Sequence, residues 1–545
     1  MSKEYKLKDL SSVSLQPGEM REVEVEGIEG GKVLLTNSAG SVQALGSRCT
    51  HYGAPLVKGI LTNSGRLTCP WHGACFSAKT GDVEDAPALD SLPAFKVTER
   101  DGAVYITGEE SAIKVGKRKP NIQCPAARSK PQTEKVVVIG GGSGTLGVVE
   151  GLRENGYEGA LTVISAEGYL PVDRPKISKA LATDPDKIAW REKAFYEGGV
   201  VEWIEGEVTG IDFAERVVHT KAGERISYTK LVLATGGTPR KLPLEGFKDL
   251  GNIFTLRTVH DAKRIVDAIG SKGKKIVIIG SSFIGMEVAK ATSADNTVSI
   301  VGMEKVAMER IMGEQVGAGL QKGIEAMGVK FYMSASVQKA EPSASDPSKV
   351  GAVLLKDGTR LEADLVILGV GVAPATEYLK DNKAVALEKD GSLTVDEKFA
   401  VKGLKDVWAV GDIATFPYHG PGGEGRPTRI EHWSVAQNAG RTASRAITHP
   451  DEPHRPFIPV FWSALSGQLR YCGNTVSGFD DVVVQGDPGE GKFVAYYCKG
   501  DTVVAMAAMG KDPVLAQVSQ LMFDKRMPGK EELKGGLDIL TVAVN

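Results

Sequence analysis

Two short segments of this chain each pair a cysteine with a histidine. Cys49-Thr50-His51 is followed, after 17 intervening residues, by Cys69-Pro70-Trp71-His72. The spacing lets two loops present one thiol and one imidazole each. Two thiolates can then hold one iron of a binuclear cluster and two imidazoles the other. Neutral imidazoles in place of thiolates lower the cluster's negative charge and raise its potential. A mixed zinc site of two Cys and two His is the competing reading. Zinc fingers usually pair Cys with Cys and His with His along the sequence. Here each loop carries one of each, which favours iron and sulfur.

A second kind of chemistry is written in glycine. Gly140-Gly141-Gly142-Ser143-Gly144-Thr145 follows an apolar run and precedes a helical stretch that ends near Asn155 and Gly156. Such a loop offers backbone N–H groups to a pyrophosphate at a helix N-terminus. Counted from the strand end, the fingerprint is Gly140, Gly142 and Thr145. A literal match also exists at Gly142, Gly144 and Gly147. Glu167, after the strand Leu161–Ile164, is placed to bind adenosine ribose hydroxyls. The pattern recurs as Gly280-Ser281-Ser282-Phe283-Ile284-Gly285, with Ser282 where the middle glycine would stand. The repeat supports the first register, because Gly140 then matches Gly280. After the next strand, Val298–Val301, come Gly302, Met303 and Glu304, with no Arg immediately available for a 2′-phosphate. NADH is therefore expected, with Glu304 as ribose ligand and NADPH left open. No cysteine lies between Cys124 and Cys472, so a Cys-x4-Cys dithiol relay is ruled out by inventory.

These groups need several domains to position them. At about 150 residues per domain, the 545 residues suggest three or four. Residues 1–108 read as an all-β unit of short strands and turns that contains both Cys/His loops. Residues 109–133, with Lys114, Lys117, Arg118, Lys119, Pro120, Pro125 and Pro131, read as a linker without periodicity. An α/β pattern follows, predicting a flavin-type domain in two parts, 134–258 and 386–456, with a nicotinamide-type domain inserted at 259–385. Residues 457–545 form a small C-terminal α/β domain. The formal net charge of −2 favours neither nucleic acid nor anionic membrane. The six cysteines form no disulfide framework, and a reducing compartment with one metal site fits them better. Cys75, Cys124, Cys472 and Cys498 are read as structural thiols. Apolar runs are strand-sized, well short of the roughly 18 residues of a membrane span. A cytoplasmic location is expected, with mitochondria left open.

The paired loops resemble Rieske domains, and Gly81 with Ala86–Pro93 resembles the proline-containing loop that covers the cluster there. Ala54 stands where the respiratory type carries Cys, so the resemblance is to the ferredoxin-like branch. Ala234-Thr235-Gly236, Gly369–Pro374 with Gly371, and Val407–Asp412 resemble segments of two-dinucleotide flavoproteins. Leu170–Pro175, Ser178-Lys179 and Glu431-His432-Trp433 resemble motifs of ferredoxin reductases, and Phe461-Trp462-Ser463 matches their C-terminal domain. Nearly the whole chain resembles Rieske-containing apoptosis-inducing-factor-like oxidoreductases. The resemblance implies FAD, a Rieske 2Fe–2S cluster held by Cys49, His51, Cys69 and His72, and a nicotinamide dinucleotide. It implies that Asp412 binds the ribityl chain and that Arg174 and Lys179 contact FAD. It places Trp433 in the segment that opens the helix beneath the flavin, and Glu287 near the nicotinamide, with Lys179 and Glu287 as the catalytic pair. Hydride would pass from nicotinamide to flavin, and electrons singly to the cluster. His51 and His72 would lie on the iron nearer solvent and serve as the exit. The expected function is NADH-dependent electron transfer to an unidentified acceptor. A redox-sensing signalling protein and a reductase supplying an oxygenase are the alternatives, and a homodimer is left open.

Overall fold

The computed structural model describes residues 2–125 and 133–544. The N-terminal unit holds a six-stranded antiparallel sheet in the order Lys3–Lys6, Ala103–Gly108, Ala94–Arg100, Ser41–Gly46, Lys32–Ser38, Met20–Glu24. A smaller antiparallel sheet, Ile60–Leu61, Arg66–Thr68, Cys75–Ser77 and Val83–Asp85, sits beside it. The two Cys/His loops close in the same way. Cys49 N donates to Ala54 O and Cys69 N to Ala74 O, both at 2.8 Å. Each cysteine thus starts a tight loop of fixed shape.

The stretch read as a linker is packed in its first part. Glu110–Val115 is a helix that buries Ile113 against Val33 and Val104 and ends at Gly116 in the left-handed region. Arg118 then pairs with Ser91 through backbone hydrogen bonds. A single buried residue on a helix this short is too weak a periodic signal to show in sequence. The rest of the expected linker, 126–132 with Pro131, lies outside the described residues.

Two parallel five-stranded sheets follow. The first runs Val201–Glu205, Ala160–Ser165, Lys135–Ile139, Lys230–Leu233, Val407–Ala409. The second runs Ile253–Thr255, Leu365–Leu368, Lys275–Ile279, Thr297–Val301, Lys330–Tyr332. After a leading lysine, their central strands Lys135–Ile139 and Lys275–Ile279 are apolar and buried, as parallel strands covered on both faces are. Gly140 and Gly280 occupy equivalent places, with φ of 119° and 110°. A Cβ on Gly140 would lie 2.2 Å from the Ala234 carbonyl oxygen, and one on Gly280 would lie 2.2 Å from that of Gly369. Only glycine allows the strand end to pass so close to the neighbouring crossover. The helix Ser143–Glu154 lies against Trp433–Thr448 along a glycine seam. A Cβ on Gly147 would meet the Gln437 carbonyl oxygen at 2.4 Å.

The C-terminal unit is an antiparallel sheet in the order Val460–Ala464, Gln468–Gly473, Thr502–Met509, Lys492–Lys499, Asp481–Asp487, covered by the helix Val514–Phe523. Its first strand starts directly beside the N-terminal unit, where Val460 packs under Gly73.

Candidate redox centres

The four Cys/His side chains converge. The Nδ1 atoms of His51 and His72 lie 3.1 Å apart. The thiols of Cys49 and Cys69 are hydrogen bonded to each other, which, with burial, pushes the Cys49 thiol well up from its ordinary value. Sulfur is therefore gathered with sulfur and imidazole nitrogen with imidazole nitrogen, as a binuclear cluster with one iron of each kind requires. Burial, with Lys176 nearby, holds His51 near 3, and burial holds His72 well below its usual range. Neutral imidazole is the ligand form. No three His, Cys, Asp or Glu among the described residues are grouped to hold a single metal ion. Splitting the donors two and two accounts for that, since a cluster spreads them over two irons.

Both histidines are buried, at 8% and 5% exposure, and face the remainder of the chain. The Trp462 ring centre lies 5.2 Å from that of His51 and 4.7 Å from that of His72. Trp190 lies 6.0 Å from His51. Arg470 Nη1 lies 3.3 Å from His72 Nε2. On the other face of His51, Tyr52 is stacked at 3.7 Å, and its hydroxyl donates to Asp173 at 2.5 Å. Sequence reasoning expected the histidines on the solvent side, and the structure corrects this. Their Rieske-like edge is docked against the reductase half, and the motif spacing could not reveal which way that edge would face.

A cavity of about 690 Å³ opens on the other side of Trp462. Gly140, Gly142, Glu167, Arg174, Lys179, Ala234, Thr235, Gly236, Glu287, Asp412 and Trp433 all line it, drawn from well-separated stretches of sequence. His432 Nδ1 and Trp433 Nε1, on two of its lining residues, are buried without a hydrogen-bond partner. A cofactor with ring and phosphate acceptors suits these donors and the helix N-terminus at Ser143. Arg174 Nη2 donates to both Glu167 carboxylate oxygens at 2.8 Å. Burial pulls the Glu167 carboxyl upward, but Arg174 holds it below its ordinary value. Thr145 does not line the cavity: it is fully buried and its hydroxyl donates to Gly140 O at 2.8 Å. Its part in the fingerprint is to bind loop to helix. Gly285, at the equivalent place of the repeat, has no room for a side chain, since a Cβ would lie 2.0 Å from Gly280 O.

At the border of the second Rossmann unit, Lys179 Nζ lies 2.8 Å from Glu287 Oε1. Ser463 donates to the same carboxylate at 2.5 Å, and Ser178 also donates to it. Glu287 is thus a buried anion with three donors, as a charge in such a place requires. Gly280, Ser282, Gly285, Glu304 and Gly371 lie outside the cavity lining. Ser282 stands at the start of the helix Phe283–Ser293, and Gly371 is exposed with φ of 89°. Glu304 is bound by Arg310 at 2.8 Å and by Ser281 at 3.3 Å. No arginine follows the strand immediately; Arg310, six residues beyond Glu304 on the first turn of the next helix, is paired with that carboxylate.

A family model for pyridine nucleotide-disulphide oxidoreductases matches residues 134–440, one for the Rieske 2Fe–2S domain matches 4–96, and one for the reductase C-terminal domain matches 460–535. This chain belongs to the pyridine nucleotide-disulphide oxidoreductase family. It is 38% identical to human apoptosis-inducing factor 3 over 526 residues, 95% of this chain and 84% of that one. Putidaredoxin reductase CamA of Pseudomonas putida is 31% identical over 410 residues, 74% of this chain and 94% of that one. The crystal structure of the covalent putidaredoxin reductase–putidaredoxin complex aligns with a TM-score of 0.68 at 30% identity, over 74% of this chain and 96% of that one.

The protein is thus an FAD-dependent NAD(P)H oxidoreductase with a Rieske 2Fe–2S domain, and electron transfer is its chemistry. Unlike the family's disulphide branch, this oxidoreductase has no cysteine between Cys124 and Cys472. No helix among its described residues is long and apolar enough to cross a membrane. Sequence reasoning missed Arg257, whose guanidinium meets Asp412 at 2.7 Å, and missed the roles of Trp190, Asp173 and Arg470 at the domain boundary. Trp462 stands out in the sequence only as a family match. A tryptophan beside a serine carries no local signal of which cavity it borders.

Proposed function

We propose that this oxidoreductase draws electrons from NADH at the Lys179–Glu287 end of the cavity and delivers them, by way of Trp462, to the Rieske centre and then to a one-electron acceptor. The observation that carries this reading is the position of Trp462, which lines the flavin cavity and stands 4.7 Å from His72. When bound, FAD accepts a hydride and releases electrons one at a time, and the cluster carries one.

The protein's own part is binding and orientation. Gly140, Gly142 and the Ala234–Gly236 turn let backbone approach the flavin nucleotide, with Glu167, Arg174 and Asp412 as its polar contacts. Gly280, Ser282, Gly285 and Gly371 play that part for the nicotinamide nucleotide, and Glu304 faces its ribose. Lys179 supplies positive charge beside the flavin, which favours the reduced, anionic form. Glu287 fixes the Lys179 ammonium at 2.8 Å and keeps it oriented. Trp462 excludes water from the gap and offers an aromatic path across it.

The solved complex that resembles this chain pairs a reductase with a separate redox protein. Here the Rieske domain is fused and docked, and takes the place of such a carrier. An anaerobic NADH titration tests the reading, with flavin absorbance and the EPR signal of the reduced cluster followed together. Both should change. A flavin that bleaches beside a cluster that stays oxidised would refute the internal relay.

A further inference from the structure

We propose that Tyr52 is the outlet through which an electron leaves the Rieske centre, and that the acceptor docking over it is a one-electron carrier protein with an anionic face. This rests on the proposed function only in taking the Rieske centre as the last internal carrier.

The direct way out through the histidines is closed. His51 and His72 are walled in by Trp462, Trp190 and Arg470. The domain is also held in that position. Arg191 bridges Asp90 of the N-terminal unit, at 2.7 Å, to Glu150 of the flavin-type domain, at 2.8 Å, and none of the three side chains is more than 6% exposed. Separating such a group leaves buried charge uncompensated, which is strongly unfavourable. An acceptor therefore meets a docked cluster, not a freed one.

Trp71 and Trp190 are partly exposed beside the histidines at 6.3 and 6.0 Å, but Tyr52 is the exposed aromatic stacked directly on one. Its ring lies 3.7 Å from that of His51 at an interplanar angle of 17°, so one face covers the ligand. The residue is nonetheless 37% exposed. Its hydroxyl donates to Asp173, a residue 1% exposed, while the ring itself lies flat on His51. A partner resting on the outer face of Tyr52 would be separated from His51 by that one ring. Transfer would be of a single electron, from a cluster held by Cys49, His51, Cys69 and His72 to the one-electron centre of the carrier protein, which is reduced by that electron; no bond forms and Tyr52 keeps its proton.

Charge names the partner's face. Lys176 Nζ stands 5.7 Å from the centre of the Tyr52 ring, with its side chain 45% exposed. The Asp173 carboxylate that neutralises part of it is buried beneath and is not presented to a partner. The outlet is thus rimmed by a solvent-facing cation, and charge of this kind guides association.

The test uses the full-length protein with both cofactors, reduced by a stoichiometric amount of dithionite with no excess left to reduce a haem directly, and mixed in a stopped-flow instrument with oxidised cytochrome b5, an acidic haem protein, the cluster's own oxidation being followed by freeze-quench EPR. Tyr52→Phe should transfer at close to the wild-type rate. Tyr52→Leu should be slower by an order of magnitude while the cluster's EPR signal is retained. Lys176→Glu should be slow at low salt and approach wild type as salt screens the rim, the screening length being about 8 Å at physiological ionic strength. A wild-type rate in Tyr52→Leu with intact EPR overturns the proposal, as does a Tyr52→Phe variant as slow as Tyr52→Leu. If Tyr52→Leu loses its cluster, Lys176→Glu decides: a rate equal to wild type at every salt concentration overturns the outlet. Because dithionite loads the cluster directly, failure of NADH to reduce it would sink the proposed function and leave the outlet standing or falling on its own rates.

Discussion

Trp462 stands between the Cys/His loops and the large cavity: its ring centre is 4.7 Å from that of His72, and the same residue lines the cavity proposed to take the flavin. The two residues lie far apart in sequence and belong to the last and first domains. The C-terminal unit therefore inserts its first strand between the carrier and the reductase. Replacing the indole should show what that insertion does. In Trp462→Leu, NADH should still bleach the flavin, and reduction of the cluster should slow by an order of magnitude in anaerobic stopped flow. An unchanged rate of cluster reduction would remove Trp462 from the route.

In the Lys179–Glu287 pair the carboxylate is buried and the ammonium half-buried, and two serines share the carboxylate. Glu287→Gln keeps the shape and removes the charge. Breaking a buried pair from one side costs about 3–5 kcal/mol. The melting temperature should fall, and the rate of flavin reduction by NADH should fall with it. The double variant Lys179→Met/Glu287→Gln should recover part of the stability and none of the rate. Calorimetry and single-turnover kinetics measure the two separately. Recovery of the rate would mean that the pair is structural only.

His432 gives the molecule a pH dependence with a definite sign. It stands in the cavity wall with Nδ1 buried and unpartnered, and desolvation lowers it to about 4. The unfolded chain has an ordinary histidine near 6.5. Below about 6.5 the unfolded state binds the proton and the folded state does not. The stabilisation is therefore present above that value and is lost as pH falls towards 4, by roughly 3 kcal/mol in all. The free energy of unfolding measured across that window should fall with pH in the wild type and fall less in His432→Gln. Equal slopes in both proteins would remove His432 as the cause.

Arg310 is held by Glu304 at 2.8 Å, at the end of the strand where a nicotinamide-type domain meets the adenosine ribose. We propose that the carboxylate selects a free 2′-hydroxyl while it keeps the guanidinium occupied. Glu304→Ala should release Arg310, lower the KM for NADPH, raise that for NADH and narrow the ratio by an order of magnitude. A ratio that stays constant would place the discrimination elsewhere.

Part of this architecture is legible without coordinates. Cys49, His51, Cys69 and His72 declare themselves by spacing, because two tight loops of equal construction need nothing beyond their own few residues to present the ligands. Gly140 and Gly280 are legible for the same reason: a strand that turns into a helix across a nucleotide needs glycine wherever the sequence continues. The all-β front, the repeated α/β pattern and the C-terminal unit show in the strand-sized runs, the turn residues and the repeat of the glycine loop. The helix Glu110–Val115 is too short for a periodic signal to show.

Direction and neighbours are not legible. Whether the histidine edge of the Rieske domain faces water or the flavin depends on how Arg191 meets Asp90 and Glu150, and on how Tyr52 meets Asp173. Those contacts join residues remote from one another in sequence, and no periodic pattern encodes them. The Trp462 contacts and the Glu304–Arg310 pair are likewise decided only when the chain packs. Local motifs determine what each centre is. The packing of buried charge and aromatic rings between domains determines where its electrons can go.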